Sequence, residues 1–133
     1  MKKFLTLVVL GLTWCGNAQS KEILLTCKGF NVNGYYKGGD ITDKPFKREA
    51  IEVFKIDAKE KIILTYVQYT KIFSERKTSK FSKTIISWKD PVEWKDRTII
   101  HEINLVESTY KIDTKLKSNP KLDRIIANYK CSK

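Results

Sequence analysis

The single histidine, His101, is where acid–base chemistry near neutral pH would start. It lies among isoleucines in the alternating run Arg97–Leu105, where a core or cross-strand position is the more frequent role. Acyl transfer would need a presented serine, and the chain has no Gly-x-Ser-x-Gly motif. The sequence therefore predicts no catalytic residue, and a hydrolase with an unrecognised site stays an alternative.

Metal and cofactor chemistry has no matching pattern either. A structural zinc site needs four ligands, and residues 19–133 contain only two cysteines and one histidine, which are far apart in the sequence. Gly38-Gly39 is followed by Asp40, not by a helix start with Lys or Ser, so it does not match a phosphate-binding loop. The sequence predicts neither a metal nor a cofactor.

Two of the three cysteines, Cys27 and Cys131, are expected to form a disulfide. Cys15 lies in a leader that is removed, which leaves an even count, and paired cysteines are the default in an oxidising compartment. A Cys-x-x-Cys redox motif is absent. The bond would enclose nearly the whole exported domain.

Residues 1–18 have the three parts of a secretory signal peptide. Two lysines give a positive start, residues 4–12 form a short apolar run, and small residues precede a cleavage site after Ala18. We therefore expect one exported domain, residues 19–133, that is periplasmic or secreted.

A lipid anchor is the alternative for this leader. Cys15 follows Leu12 by three positions, but Trp14 stands where a small residue normally precedes a lipidated cysteine. Soluble export is therefore preferred to a lipoprotein. The apolar run is shorter than the roughly 20 residues of a transmembrane helix, and no second run follows, so no transmembrane segment is expected.

The chain is strongly basic, with a formal net charge of +11 that would fall to +9 when Lys2 and Lys3 leave with the leader. Such an excess attracts acidic partners: anionic glycolipid, cell-wall polymer or an acidic protein. Nucleic acid is not expected as a partner of an exported protein. The lysines are spread along the chain, so most of them are expected to form solvated faces.

Four aromatic residues are the candidates for a binding surface. Tyr35 and Tyr36 lie in residues 30–45, a stretch rich in Asn and Gly that predicts a long irregular loop, and such loops are often functional. Trp88 and Trp94 lie on either side of a predicted turn. Packing within the domain is the alternative for both pairs, and it is favoured for the tryptophans.

Alternation of apolar and polar residues predicts strands along the mature chain. The expected strands are residues 23–29, 51–56, 62–73, 81–88, 97–105, 108–113 and 124–131, with a basic turn at 74–80. No segment has a sustained period of 3.6. Seven or eight strands joined by polar turns predict an all-β fold, a small antiparallel β-sandwich or barrel.

The last strand constrains this fold further. Its alternation puts Cys131 on the same face as Ile125, Ala127 and Tyr129. The first and last strands are therefore expected to lie close together with both sulfurs on the core side. They would be direct neighbours in a barrel or face each other across a sandwich.

Three short motifs mark the course of the chain: Cys27-Lys28-Gly29 early, Ile86-Ser87-Trp88 in the middle and Tyr129-Lys130-Cys131 near the end. With its leader, the chain resembles small exported β-rich bacterial proteins of uncharacterised function. The resemblance covers most of the mature chain and implies a compact β-rich exported domain. It assigns no activity and no functional residue.

Together these observations favour an exported binding protein without catalytic activity. It would capture a protein partner, as an inhibitor or an immunity protein does. The alternative is a cationic envelope-binding protein that recognises anionic glycolipid or cell-wall polymer.

Overall fold

The alternating pattern gives each extended segment one apolar face, which is what a half-buried sheet needs. The structure is a computed structural model that describes residues 22–133, and the predicted leader, with Cys15, lies outside them. Among the described residues no helix is long and apolar enough to cross a membrane. The strands are β1 (Glu22–Tyr36), β2 (Ile41–Lys44), β3 (Ile51–Asp57), β4 (Ile62–Val67), β5 (Ile72–Arg76), β6 (Thr78–Phe81), β7 (Ile85–Lys89), β8 (Arg97–Asn104), β9 (Thr109–Leu116) and β10 (Leu122–Ser132).

All ten strands belong to one antiparallel sheet that is nearly closed into a barrel. Its order is β5-β4-β3-β1-β10-β9-β8-β7-β6, and β2 pairs with β1 off this path. The two ends of the order, β5 and β6, are joined in the chain by Lys77 alone, so the sheet curves back towards itself there. The predicted all-β antiparallel fold is confirmed.

The strand count is ten, not the predicted seven to eight. Residues 62–73, predicted as one strand, divide into β4 and β5 at a turn in which Lys71 has φ 57° and bonds the carbonyl of Val67 at 2.8 Å. A lysine rarely adopts this left-handed conformation, and the turn contains no Gly or Asn from which it could have been predicted. Residues 74–80, predicted as a turn, lie mostly in β5 and β6.

The predicted irregular loop at residues 30–45 is also wrong. β1 continues to Tyr36 and pairs with β10 on one side and β2 on the other. Gly34 is buried at this junction, where a Cβ would lie 2.8 Å from Thr42 Oγ1. The glycine therefore permits close approach of β2 and does not mark a turn.

The first and last strands are neighbours in the middle of the sheet. The antiparallel register of β1 and β10 places Cys27 opposite Cys131, and the two sulfurs are bonded. Cys27 is fully buried, and Cys131 packs against the same core. The predicted disulfide is confirmed, and its strands are direct neighbours.

The core lies on the inner face of the sheet and is largely aromatic at its centre. The Phe54 ring lies 5.7 Å from that of Trp88 and 4.8 Å from that of Tyr110, both in edge-to-face geometry. Such contacts add to area burial and restrict ring orientation. They hold β3, β7 and β9 at fixed positions around the inner face.

Loss of the disulfide is expected to remove much of the domain's stability. The bond links residues 104 positions apart. For a loop of that length the chain-entropy model gives about 4–5 kcal/mol, comparable with the whole stability of a small domain. We expect Cys27→Ala/Cys131→Ala to lose about this amount in guanidinium unfolding.

Reductant provides the control for this experiment. It should destabilise the wild-type protein and leave the double variant unchanged. Equal stability of the wild-type protein with and without reductant would contradict the prediction.

Candidate functional site

A cavity of about 200 Å³ lies on the inner face of the sheet, between β3–β5 and β7–β9. Strand alternation directs one side chain in two towards it. Its lining residues are Glu52, Phe54, Thr65, Tyr66, Val67, Arg76, Trp88, Asp90, Pro91, His101, Tyr110 and Ile112. The cavity thus combines aromatic and aliphatic walls with acidic, basic and imidazole groups from six strands.

Three of these side chains form a hydrogen-bonded chain. His101 Nδ1 lies 2.7 Å from the Tyr110 hydroxyl, and His101 Nε2 lies 3.1 Å from Asp90 Oδ1. The imidazole stacks on the Trp88 indole, with centroids 5.2 Å apart, because the two residues are directly opposite on β7 and β8. His101 therefore occupies the cross-strand position expected from its sequence.

Burial determines the protonation of this chain. Desolvation lowers the pKa of His101, against the opposing effect of the Asp90 hydrogen bond. Desolvation also raises the pKa of Tyr110 well above its usual value. A neutral imidazole therefore donates from Nε2 to Asp90 and accepts at Nδ1 from the Tyr110 hydroxyl.

The remaining oxygen of Asp90 is also engaged, since Oδ2 accepts a hydrogen bond from Trp94 Nε1 at 3.2 Å. Each end of the Asp90–His101–Tyr110 chain is thus occupied, and Tyr110 is only 3 % exposed. A buried phenol that keeps its proton is a poor nucleophile. The chain is therefore suited to hold a wall of the cavity in place.

Glu52 and Arg76 line the same cavity but, unlike Asp90 and His101, they form no ion pair. The described residues provide no ion-pair partner for either of them. Arg76 Nη1 donates only to Ser74 Oγ at 3.2 Å, and desolvation raises the pKa of the Glu52 carboxyl. The cavity therefore contains one acid and one base that do not satisfy each other.

These two residues and the partners of His101 were not predicted from the sequence. The alternation of side chains along β3 could have indicated one of them. Glu52 alternates with the buried Phe54 and Ile56, so a carboxylate occupies a core position of β3. Polar residues at core positions often mark functional sites. Arg76 gave no such signal, because the strand that carries it was not recognised.

The four aromatic residues predicted as a binding surface do not come together. Trp88 is 1 % exposed, which corrects its assignment to a surface: it packs in the core against Phe54 and His101. Trp94 is 46 % exposed in the segment after β7, with the Arg97 guanidinium 5.4 Å from its ring.

The two tyrosines lie at the far end of β1. Tyr35 faces the Arg124 guanidinium at 5.9 Å, and Tyr36 lines a separate apolar groove with Phe46 and Leu122. A binding role for Tyr35, Tyr36 and Trp94 stays a prediction.

Comparisons with protein-family models, with curated proteins and with solved structures find no match. Within residues 22–133 no three His, Cys, Asp or Glu side chains are grouped so that they could hold a metal ion. A proposed function therefore depends on the contacts, charges and exposed surfaces of the described residues.

The Tyr110 hydroxyl is expected to contribute to stability through His101. Tyr110→Phe leaves the buried Nδ1 of His101 without its donor, which should cost about 1–3 kcal/mol in denaturant unfolding. Tyr129→Phe is the matched control, because its ring is similarly buried and its hydroxyl bonds to no described residue. Equal losses in the two variants would contradict the assigned hydrogen bond.

Glu52→Gln is expected to stabilise the domain at neutral pH. Burial raises the pKa of Glu52, so the folded state binds this proton more tightly than the unfolded state. The free-energy cost of burying the charged carboxylate is absent below the pKa that Glu52 has in the unfolded state. It is complete above the pKa that Glu52 has in the folded state. The Tm of the variant should exceed that of the wild type at about pH 7.5, and the difference should shrink towards about pH 4.

Glu75→Gln is the control for this pH series, since Glu75 is exposed on β5, in the same half of the sheet. It should show no comparable pH-dependent gain. A lowered Tm for Glu52→Gln at about pH 7.5 would show that the carboxylate is stabilising and would contradict the prediction.

Proposed function

We propose that the protein is an exported binding protein without catalytic activity, which captures an acidic protein partner as an inhibitor or an immunity protein does. The observation that supports this role is an uneven outer surface of the sheet. One half has rows of apolar side chains with lysines among them, and the other half has polar side chains that pair with one another.

The apolar half, here called the apolar face, is the outer side of β1, β3, β4 and β5. The pairing register brings its rows together: Thr26 lies opposite Val53, and Tyr66 lies opposite Phe73. The face consists of Leu24, Ile51, Val53, Leu64, Tyr66 and Phe73. Contiguous exposed apolar surface on a soluble protein commonly marks an interaction site.

Lysines lie within this face and beside it. Lys55 stands between Leu24 and Leu64 in the register, with its Nζ 4.2 Å from the centroid of the Phe73 ring. Lys28 lies opposite Ile51, and its 3.5 Å contact with Glu49 is largely exposed and hence weak. In a domain whose formal charge is +9 without Lys2 and Lys3, such a face favours a partner whose apolar patch carries acidic residues.

The outer side of β8–β10 gives the contrast. Arg124 forms an ion pair with Asp113 on the neighbouring strand. Asn128 Nδ2 donates to Asn31 Oδ1 at 2.9 Å and to Asn33 Oδ1 at 2.8 Å. These polar groups satisfy one another, so a partner would gain less from covering them.

The hydrogen-bonded chain in the cavity supports binding over catalysis. Both imidazole nitrogens of His101 and both carboxylate oxygens of Asp90 already have partners. General acid–base catalysis requires such a group to exchange a proton with a substrate. These groups are occupied in positioning the cavity wall.

The second candidate is the cationic envelope binder, which the formal charge favours: +11 for the full sequence and +9 without Lys2 and Lys3. An anionic glycolipid or cell-wall polymer would be held by lysines, and its binding would weaken with salt. It would not depend on the exposed aliphatic side chains of the apolar face. That difference separates the two candidates.

The test compares capture by the wild-type domain with capture by two charge-neutral variants. Leu24→Gln/Ile51→Gln removes two exposed side chains of the apolar face, and Val106→Gln removes a 73 % exposed side chain from the β8–β9 turn as a control. The wild type and the control should retain the same acidic polypeptide from envelope extracts, including those of competing strains. The double variant should retain it about tenfold less or worse, because one buried aliphatic side chain contributes about 1.5–3 kcal/mol.

Equal retention by all three proteins would reject the apolar face as the capture site. Binding to anionic lipid vesicles or immobilised lipopolysaccharide that is equal in all three and falls steeply towards physiological salt would support the envelope binder instead.

A further inference from the structure

The cavity between β3–β5 and β7–β9 has two charged groups that form no ion pair, although the Arg76 guanidinium donates to Ser74 Oγ at 3.2 Å. Glu52 enters it from β3 and Arg76 from β5. They form no ion pair with each other or with another described residue. Half-buried charges of this kind are costly unless something pairs with them.

The other polar groups of the cavity are not available to a ligand in the same way. Asp90, His101 and Tyr110 are joined to one another, and Asp90 also accepts from Trp94. Together they form a rigid wall, backed by the stacked Trp88 indole. A ligand therefore meets one carboxylate and one guanidinium as its charged contacts.

Opposite charges on the protein select a ligand that carries both. A simple cation would pair with Glu52 and leave Arg76 unpaired, and a simple anion would do the reverse. A zwitterion satisfies both, with an ammonium group at Glu52 and a carboxylate at Arg76. Guanidinium is well suited to a carboxylate because its planar fork matches the two oxygens.

The size and walls of the cavity restrict this ligand further. A volume of about 200 Å³ is below the roughly 300–1,000 Å³ of pockets for drug-sized ligands. The walls next to the charges are apolar, with Phe54, Val67 and Ile112 among them. We propose that the cavity binds a free α-amino acid with a small or aliphatic side chain, its ammonium group on Glu52 and its carboxylate on Arg76.

This site and the apolar face lie on opposite sides of β3, and of the residues named for them they share only Tyr66. Glu52 lies on the inner side of β3, whereas its neighbours Ile51 and Val53 lie on the outer side. Amino-acid binding does not rest on capture of a protein partner. Variants of one site are therefore controls for the other.

The test is a two-dimensional amide NMR titration of the domain with defined probes. Glycine, L-alanine, L-valine and L-leucine, each up to about 10 mM, test the zwitterion. Leucine amide lacks the anionic group, and 4-methylpentanoate lacks the ammonium group. At least one of the four amino acids should shift the Trp88, His101 and Tyr110 signals in a saturable way, and the two single-charge analogues of leucine should bind at least about tenfold more weakly than leucine.

Two variants assign the contacts, and two serve as controls. Glu52→Gln and Arg76→Gln should each weaken amino-acid binding at least about tenfold, with the fold checked by thermal unfolding. Glu75→Gln, an exposed acidic neighbour, and Leu24→Gln/Ile51→Gln on the apolar face should bind as the wild type does.

Three results would overturn the proposal. The first is the absence of shifts with all four amino acids at about 10 mM. The second is binding of leucine amide or 4-methylpentanoate as tight as that of leucine. The third is unchanged affinity in both Glu52→Gln and Arg76→Gln.

Discussion

The pairing of β1 with β10 is the interaction on which the rest of the structure depends. Each of the two strands continues into one half of the sheet: β1 into β3, β4 and β5, and β10 into β9, β8, β7 and β6. The cavity lies between these halves, so it exists only when the central pair has formed. Because the paired strands are at opposite ends of the described chain, closing that loop is entropically costly, and the disulfide between Cys27 and Cys131 offsets this cost.

Local periodicity explains which parts of this fold could be predicted from sequence. The strand at residues 97–105 and the inward phase of Cys131 depend only on alternation, which neighbouring residues reveal. The turns at Lys61, Lys71 and Ser108 all have φ near 55–57° without glycine. The strand boundaries near Lys61 and Ser108 were predicted from the break in alternation, whereas the one at Lys71 was missed because no turn-forming residue marks it. At Gly34 a loop was predicted where the strand continues. In a sequence, a glycine that permits close packing cannot be told from one that permits a turn.

The candidate site required information of another kind. Asp90, His101 and Tyr110 meet because β8 lies between β7 and β9. The register places Tyr110 opposite Ile103, two residues from His101. Asp90 follows β7 and its amide bonds the carbonyl of Ile99 on β8. Register is a property of strand pairs. No spacing along the chain identifies such a group. The one local sign of a polar site inside the sheet was Glu52, a charged residue at a position that alternates with buried apolar residues.

Strand β3 connects the two proposed roles. Its inner side presents Glu52 to the cavity, and its outer side presents Ile51 and Val53 to the apolar face. Neither side is optimal for stability, since one keeps a desolvated carboxylate and the other keeps aliphatic side chains in water. Natural proteins commonly retain such features where binding requires them.

The short link at Lys77 has a consequence for the connectivity of the chain. β5 and β6 follow each other in sequence without pairing, whereas Thr26 near one end of the described chain pairs with Ser132 near the other. A circular permutant that begins at β6, ends at β5 and joins the present ends would retain every strand pair. In it β1 and β10 would become a local hairpin, the disulfide would close a short loop, and the domain would fold with a lower contact order.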